Sequence, residues 1–218
     1  MVDPPARIAR LRPEELSEDA RGVFGALGTV RAGSDSAKPA LSGPRPSAQA
    51  NHVLQTLANH PPLAKAFLNF NGYLLSAELS LPVRLRQIAI QRVAWNRHCV
   101  YMWSSHLRVS LPLWLTQEDF DAVALGPQSP HWTPLERAVV VAVDGLEGRS
   151  FMSDPTWAAL TAELTDQQTM ELIFVVGCYT GLSMFMNAAQ VEREPELVAL
   201  AERHGAPERP AEKGADQG

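Results

Sequence analysis

The thirty residues from Leu81 to Ser110, LPVRLRQIAIQRVAWNRHCVYMWSSHLRVS, leave room for little besides two helices and a tight break between them. Apolar side chains recur at helical rather than alternating spacing, and Asn96-Arg97 marks the interruption. Cys99 opens the second helix and His106 follows seven residues later. At about 100° per residue, seven steps return to nearly the same face about two turns along. A thiol and an imidazole therefore share a stripe, with Met102 and Trp103 between them. A reactive centre, if the chain has one, is expected here.

The flanking sequence extends the same pattern. Residues 1–50 read as an extended arm, a short helix from Glu14 to Leu27, and a Gly/Ser/Pro-rich loop from 28 to 50 that could cover a site or lie loose on the surface. Asn51 can cap a helix to Ala58, and a further helix is expected from Pro62 to about Ala77. Thr116 to Asp119 reads as a capping box with Asp in place of Glu. Thr133-Pro134-Leu135-Glu136 combines a capping Thr, Pro at the first helical position and Glu at the third. Ser153 and Thr165 start two more helices, the last running to about Val191. No segment sustains period-two alternation, so the expected fold is all-α. The helices after Leu81 and those after Thr133 start in comparable ways, which suggests two related helical units. The helical domain is expected to span 51–192, with a polar, disordered tail over 193–218.

Composition narrows the function classes. A formal charge of −5 without a basic run weighs against nucleic acid or an anionic membrane as partner. The most apolar run, Leu172 to Gly181, is shorter than the ~18–20 residues of a membrane span, and the N-terminus lacks the apolar core of a signal peptide. The expectation is a cytoplasmic protein. Cys99 and Cys178 form neither a CxxC pair nor a zinc pattern, and His52, His60, His131 and His204 have no ligand spacing. No metal site or cofactor is predicted, and GxGxxG, P-loop and GxSxG motifs are absent from the sequence.

The Leu81–Ser110 stretch, with the preceding LANHPPLAKAFLNF and the downstream TPLERAVVVAVDGL, TWAAL and CYTGLSMFMNA segments, resembles the carboxymuconolactone decarboxylase / alkylhydroperoxidase D-like family over roughly residues 50–192. That resemblance implies a helical bundle assembled as a homo-oligomer, a trimer or hexamer. The peroxidase branch of the family uses a Glu, a CxxC pair and a His. On this chain Gln87 stands at the Glu position, Cys99 at the first Cys, Met102 at the second, and His106 at the His. Met cannot form the resolving disulfide, and neutral Gln cannot take a proton as carboxylate does.

The residues divide accordingly. His106 suits acid–base work near neutral pH, and Gln87 and Tyr101 could position a substrate by hydrogen bonds. The helix dipole, with Arg97 and His98 adjacent, is expected to favour a Cys99 thiolate; the alternative is a buried apolar filler. Trp103, Met102, His98 and Arg92 are candidate substrate contacts, with the core an equal destination for Trp103. Tyr179 and Asn187, eight apart on the last helix, are candidates for a distal wall. The leading expectation is a cofactor-independent acid–base enzyme that decarboxylates or isomerises a small organic acid, lactone or carbonyl compound. A Cys99-dependent thiol peroxidase and a non-catalytic small-molecule-binding or assembly protein are the alternatives.

Overall fold

A computed structural model describes residues 4–22, 51–76 and 78–209. Among them every regular element is helical. Pro13–Glu15 form one 3-10 turn and residues 18–22 are helical, in place of one continuous helix from Glu14. The remainder of that expected helix and the 28–50 loop lie outside the described residues.

Nine α-helices follow Asn51: α1 (His52–Leu57), α2 (Pro61–Leu74), α3 (Val83–Asn96), α4 (Val100–Ser110), α5 (Gln117–Leu125), α6 (Pro134–Arg149), α7 (Asp154–Thr161), α8 (Asp166–Ala188) and α9 (Pro195–His204). Their starts are written locally. Asn51 accepts from the Leu54 N–H, and Thr116, Thr133 and Thr165 close capping boxes with Asp119, Glu136 and Gln168. Each cap satisfies donors that the first helical turn leaves open, worth about 1 kcal/mol apiece.

Helix α3 is the hub. It packs against α4, α5, α6 and α8, and nine of its fourteen residues are buried. Ile88, Ala89, Ile90, Val93 and Ala94 are fully enclosed, which explains why α3 shows no clean polar face. Burying an Ile here is worth about 2 kcal/mol relative to leaving it exposed. The same enclosure carries Arg86, Gln87 and Gln91 into the interior, where each polar atom needs a partner.

Two expectations change. The ordered fold does not stop at residue 192: α9 lies along α4, with Leu197 fully buried, and Trp103 Nε1 donates to the Gly205 carbonyl at 2.8 Å. Leu197, Leu200 and Ala201 form an apolar stripe among charged residues, too short to stand out against the polar tail around it. Helix α8 is long and apolar enough to cross a membrane by length and composition, contrary to the span estimate from its central run. Half of its most apolar window is buried inside the protein, much of it against α3.

Candidate active site

The α3–α4 break is shaped by His98, which adopts a left-handed backbone (φ 52°) and reverses the chain between Asn96 and Val100. Its imidazole is exposed, so the residue serves the turn rather than the interior. Asn187 Nδ2 donates to the Arg97 carbonyl at 2.8 Å and ties α8 to the same turn. Tyr179 lies eight residues earlier, about 12 Å along the helix axis. The pair therefore does not form one pocket wall.

Gln87 and His106 do meet. Gln87 is fully buried, and its Oε1 lies 3.0 Å from His106 Nδ1 and 2.9 Å from Ser110 Oγ. Ser110 follows His106 by one turn of α4, so both donors reach one carbonyl oxygen. A carbonyl oxygen can only accept. The neutral imidazole therefore carries its proton on Nδ1 and its lone pair on Nε2. The Tyr179 ring meets His106 edge to face at 5.2 Å and is almost fully enclosed. His106 itself is only half-buried.

Two more polar atoms belong to this neighbourhood. Gln91, one turn beyond Gln87, donates through Nε2 to the Trp103 carbonyl at 3.3 Å, while its Oε1 has no hydrogen-bond partner. Gln87 Nε2 is likewise unpartnered. Sequence reasoning passed over Ser110 and Gln91. The signals were present as i, i+4 pairs, Gln87–Gln91 on α3 and His106–Ser110 on α4.

Several expected site residues have other work. Cys99 caps α4 and is wholly buried; its Sγ lies 3.7 Å from Met186 Sδ, and burial pushes the thiol up to about 12. The expected thiolate is overturned: desolvation outweighs the backbone N–H groups, and Arg97 is turned to Glu147 at 2.6 Å. Cys178 is also free, and its thiol is raised mainly by burial. It precedes Met186 by eight residues of α8, about 12 Å along the axis, out of disulfide reach of Cys99.

Tyr101 is five residues from His106, about 140° around α4, and so faces away from it. Its hydroxyl donates to Glu194 Oε1 at 2.8 Å, and burial followed by that carboxylate holds the phenol well above its ordinary range. Tyr101 docks the α9 approach instead of a substrate. Arg92 grips both oxygens of Asp144 (2.7 and 2.9 Å) and the Val123 carbonyl. It lies so close over Gly126 (φ 77°) that an added Cβ there would sit 2.8 Å from Nη2. This is an interhelix brace, not a substrate contact. Trp103 is a core ring between Trp95 and Phe120, each at 5.3 Å, and Met102 is an enclosed apolar residue one turn before His106. Among the described residues no group of three or more His, Cys, Asp or Glu could hold a metal ion.

The family model of the carboxymuconolactone decarboxylase family matches residues 61–145, from the start of α2 to near the end of α6. No curated protein matches the chain. Among solved structures, the debrominase Bmp8, as a Cys→Ala variant with 2,3,4-tribromopyrrole, superposes with a TM-score of 0.66 at 14% identity, covering 93% of this chain and 99% of that one. An alkylhydroperoxidase AhpD core protein, peroxidase-related, from Ralstonia eutropha JMP134 gives 0.65 at 17% identity over 89% and 95% of the two chains. A putative antioxidant defence protein AhpD from Agrobacterium tumefaciens gives 0.57 at 18% identity over 63% and 94%. At these identities the superpositions establish the fold, which is the alkylhydroperoxidase D-like helical fold.

Proposed function

For a chain whose residues 61–145 belong to the carboxymuconolactone decarboxylase family, we propose a cofactor-independent acid–base enzyme that decarboxylates or isomerises a small organic acid, lactone or carbonyl compound. The observation that carries this reading is the 3.0 Å contact between His106 Nδ1 and Gln87 Oε1, which fixes the tautomer with Nε2 as base. In isomerisation, Nε2 takes a proton from the carbon beside a carbonyl, the C–H electrons pass into an enolate, and the imidazolium returns the proton to another carbon. In decarboxylation, Nε2 first takes the proton of the carboxylic acid, the carbon–carboxylate bond then breaks with its electrons passing into the same enolate, and the imidazolium returns that proton to the carbon that carbon dioxide has left. Buried donors can stabilise the enolate in either case.

The structure supplies no support for a thiol peroxidase: Cys99 is enclosed and its thiol is protonated far above neutral pH. The test is to incubate native protein and His106→Ala with a panel of β-keto acids and unsaturated lactones in deuterated water, following solvent exchange and carbon dioxide release by NMR. Native turnover should fall about 10²–10⁴-fold in the variant. Equal turnover in the variant, or none with native protein, removes the reading. A compound that raises the melting temperature yet is recovered unchanged would favour a non-catalytic binding protein.

A further inference from the structure

The chain carries no Asp, Glu, Lys or Arg from Leu172 to Val191, a stretch that makes up most of α8. Half of the most apolar window of that helix is buried inside the protein, and the other half faces outward. The outward residues include Met170, Phe174, Gly177, Gly181 and Met184, all exposed. Their steps of four, three, four and three keep them within about 80° of one another around the helix. A helix on a protein surface normally turns polar and charged residues toward water. This one turns an apolar stripe about 21 Å long.

The stripe continues onto a second helix. Leu63, Phe70 and Tyr73 are exposed along one side of α2, and the Phe70 ring meets Phe174 edge to face at 6.2 Å. These three, with Met170, Phe174 and Met184, are each 41–58% exposed. At about 200 Å² for a full side chain of this size, the six present roughly 600 Å² of apolar surface, the upper end for the largest patch on a monomer. Two such faces closed on each other would bury roughly 1,200 Å², which reaches the lower bound of a stable, specific interface.

Spacing and side-chain size say what fits. Alternating steps of three and four form the seam of a helix that pairs with another helix, each bulky residue entering a gap on the facing one. The gaps are present: a Cβ built on Gly177 or Gly181 meets nothing within 4 Å. A second α8 laid antiparallel across the first, with a two-fold axis at Gly177, brings residues equally far from Gly177 opposite each other. Met170 then meets the partner's Met184, and Phe174 enters the notch at the partner's Gly177 and the partner's Gly181. One helix supplies both knob and hole, which is what an isologous interface requires. A lipid surface gains nothing from two notches.

We infer that α8, flanked by α2, is the face on which two copies of this chain pair antiparallel about a two-fold axis. The inference is independent of the acid–base reading of His106.

The experiment is sedimentation velocity of the full-length native protein at micromolar concentration, which should show an even number of chains. Met170→Glu and Met184→Lys should each weaken that assembly on the order of tenfold or more, because a charge is then held against an apolar partner residue. Both positions are exposed, so neither change enters the core. The two changes in one chain should recover most of the loss at low salt, since each new carboxylate then faces a new ammonium on the other copy, and high salt should reverse the recovery. Within one chain the two positions lie about 21 Å apart along α8, too far to pair with each other. A monomer, an odd number of chains, an undiminished assembly in either single variant, or no recovery in the double variant would each overturn the assignment. A monomer that floats with phosphatidylcholine vesicles would give the face to lipid instead. The native chain count can overturn the pairing even if a charged variant fails to fold.

Discussion

His106 Nδ1 and Gln87 Oε1 lie 3.0 Å apart across the α3–α4 interface, and the neutral amide orients the imidazole without drawing its proton away. A carboxylate at position 87 would orient the ring too, and would also raise its affinity for a second proton. In Gln87→Glu the imidazole gains an anionic neighbour that favours its protonated form, so its NMR titration should move toward higher pH by about one unit or more. Turnover at neutral pH should fall with it, because less of the base is free. An unmoved titration would mean that residue 87 does not govern His106.

Cys99 should behave as a core residue. Native protein should not react with a thiol-specific chromogenic reagent at that position under mild conditions, because the thiol is enclosed and held up at about 12. Cys99→Ala should leave turnover unchanged while lowering stability by about 1–2 kcal/mol through lost packing against Met186. Rapid labelling of Cys99 in the folded protein, or loss of turnover in Cys99→Ala, would return the thiol to the chemistry.

Asp119 should set the acid limit of the fold. Burial opposes its ionisation, but hydrogen bonds from Arg84, the Thr116 N–H and His131 prevail and hold its carboxyl at about 2. A carboxyl depressed from its unfolded value of 3.8 adds stability that is fully present above that pH and is lost as pH falls through about 2. Asp119→Asn should cost about 2 kcal/mol at neutral pH and flatten the stability profile between about pH 4 and 2. Urea unfolding from neutral pH down to about pH 2 measures both effects. An unchanged profile would place the acid sensitivity elsewhere.

The α9 helix should contribute to global stability. Leu197 is fully buried, and the chain beyond it reaches the Trp103 indole through Gly205. Leu197→Ala should cost about 3 kcal/mol with a single cooperative transition. A near-neutral effect, or separate early loss of α9 seen by hydrogen exchange, would show that the segment is dispensable.

Much of the fold was legible residue by residue. Helix starts are short-range events: a Ser, Thr or Asn side chain reaches a backbone N–H two or three residues on, so Asn51, Thr116, Thr133, Ser153 and Thr165 announce their helices without help from the rest of the chain. The Gln87–His106 pair was also within reach, through the family pattern and the two helices that its spacing implies. Which arginine goes without a carboxylate among the described residues was not. Arg84, Arg86 and Arg92 look alike in sequence, and their roles depend on carboxylates 35 and 52 residues away for Arg84 and 52 away for Arg92.

The sequence by itself determined the all-α architecture, the break between α3 and α4, and the stripe that carries Cys99 and His106, because these follow from side-chain spacing and local hydrogen bonds. Only the tertiary structure decided that the thiol on that stripe is buried, that Tyr101 faces Glu194, and that Arg86 is left without a carboxylate. Burial and charge pairing depend on what distant helices bring to the same place. Once α3 is enclosed by α4, α5, α6 and α8, each polar atom on it is either met by a group from another helix or left without a partner at a cost in free energy.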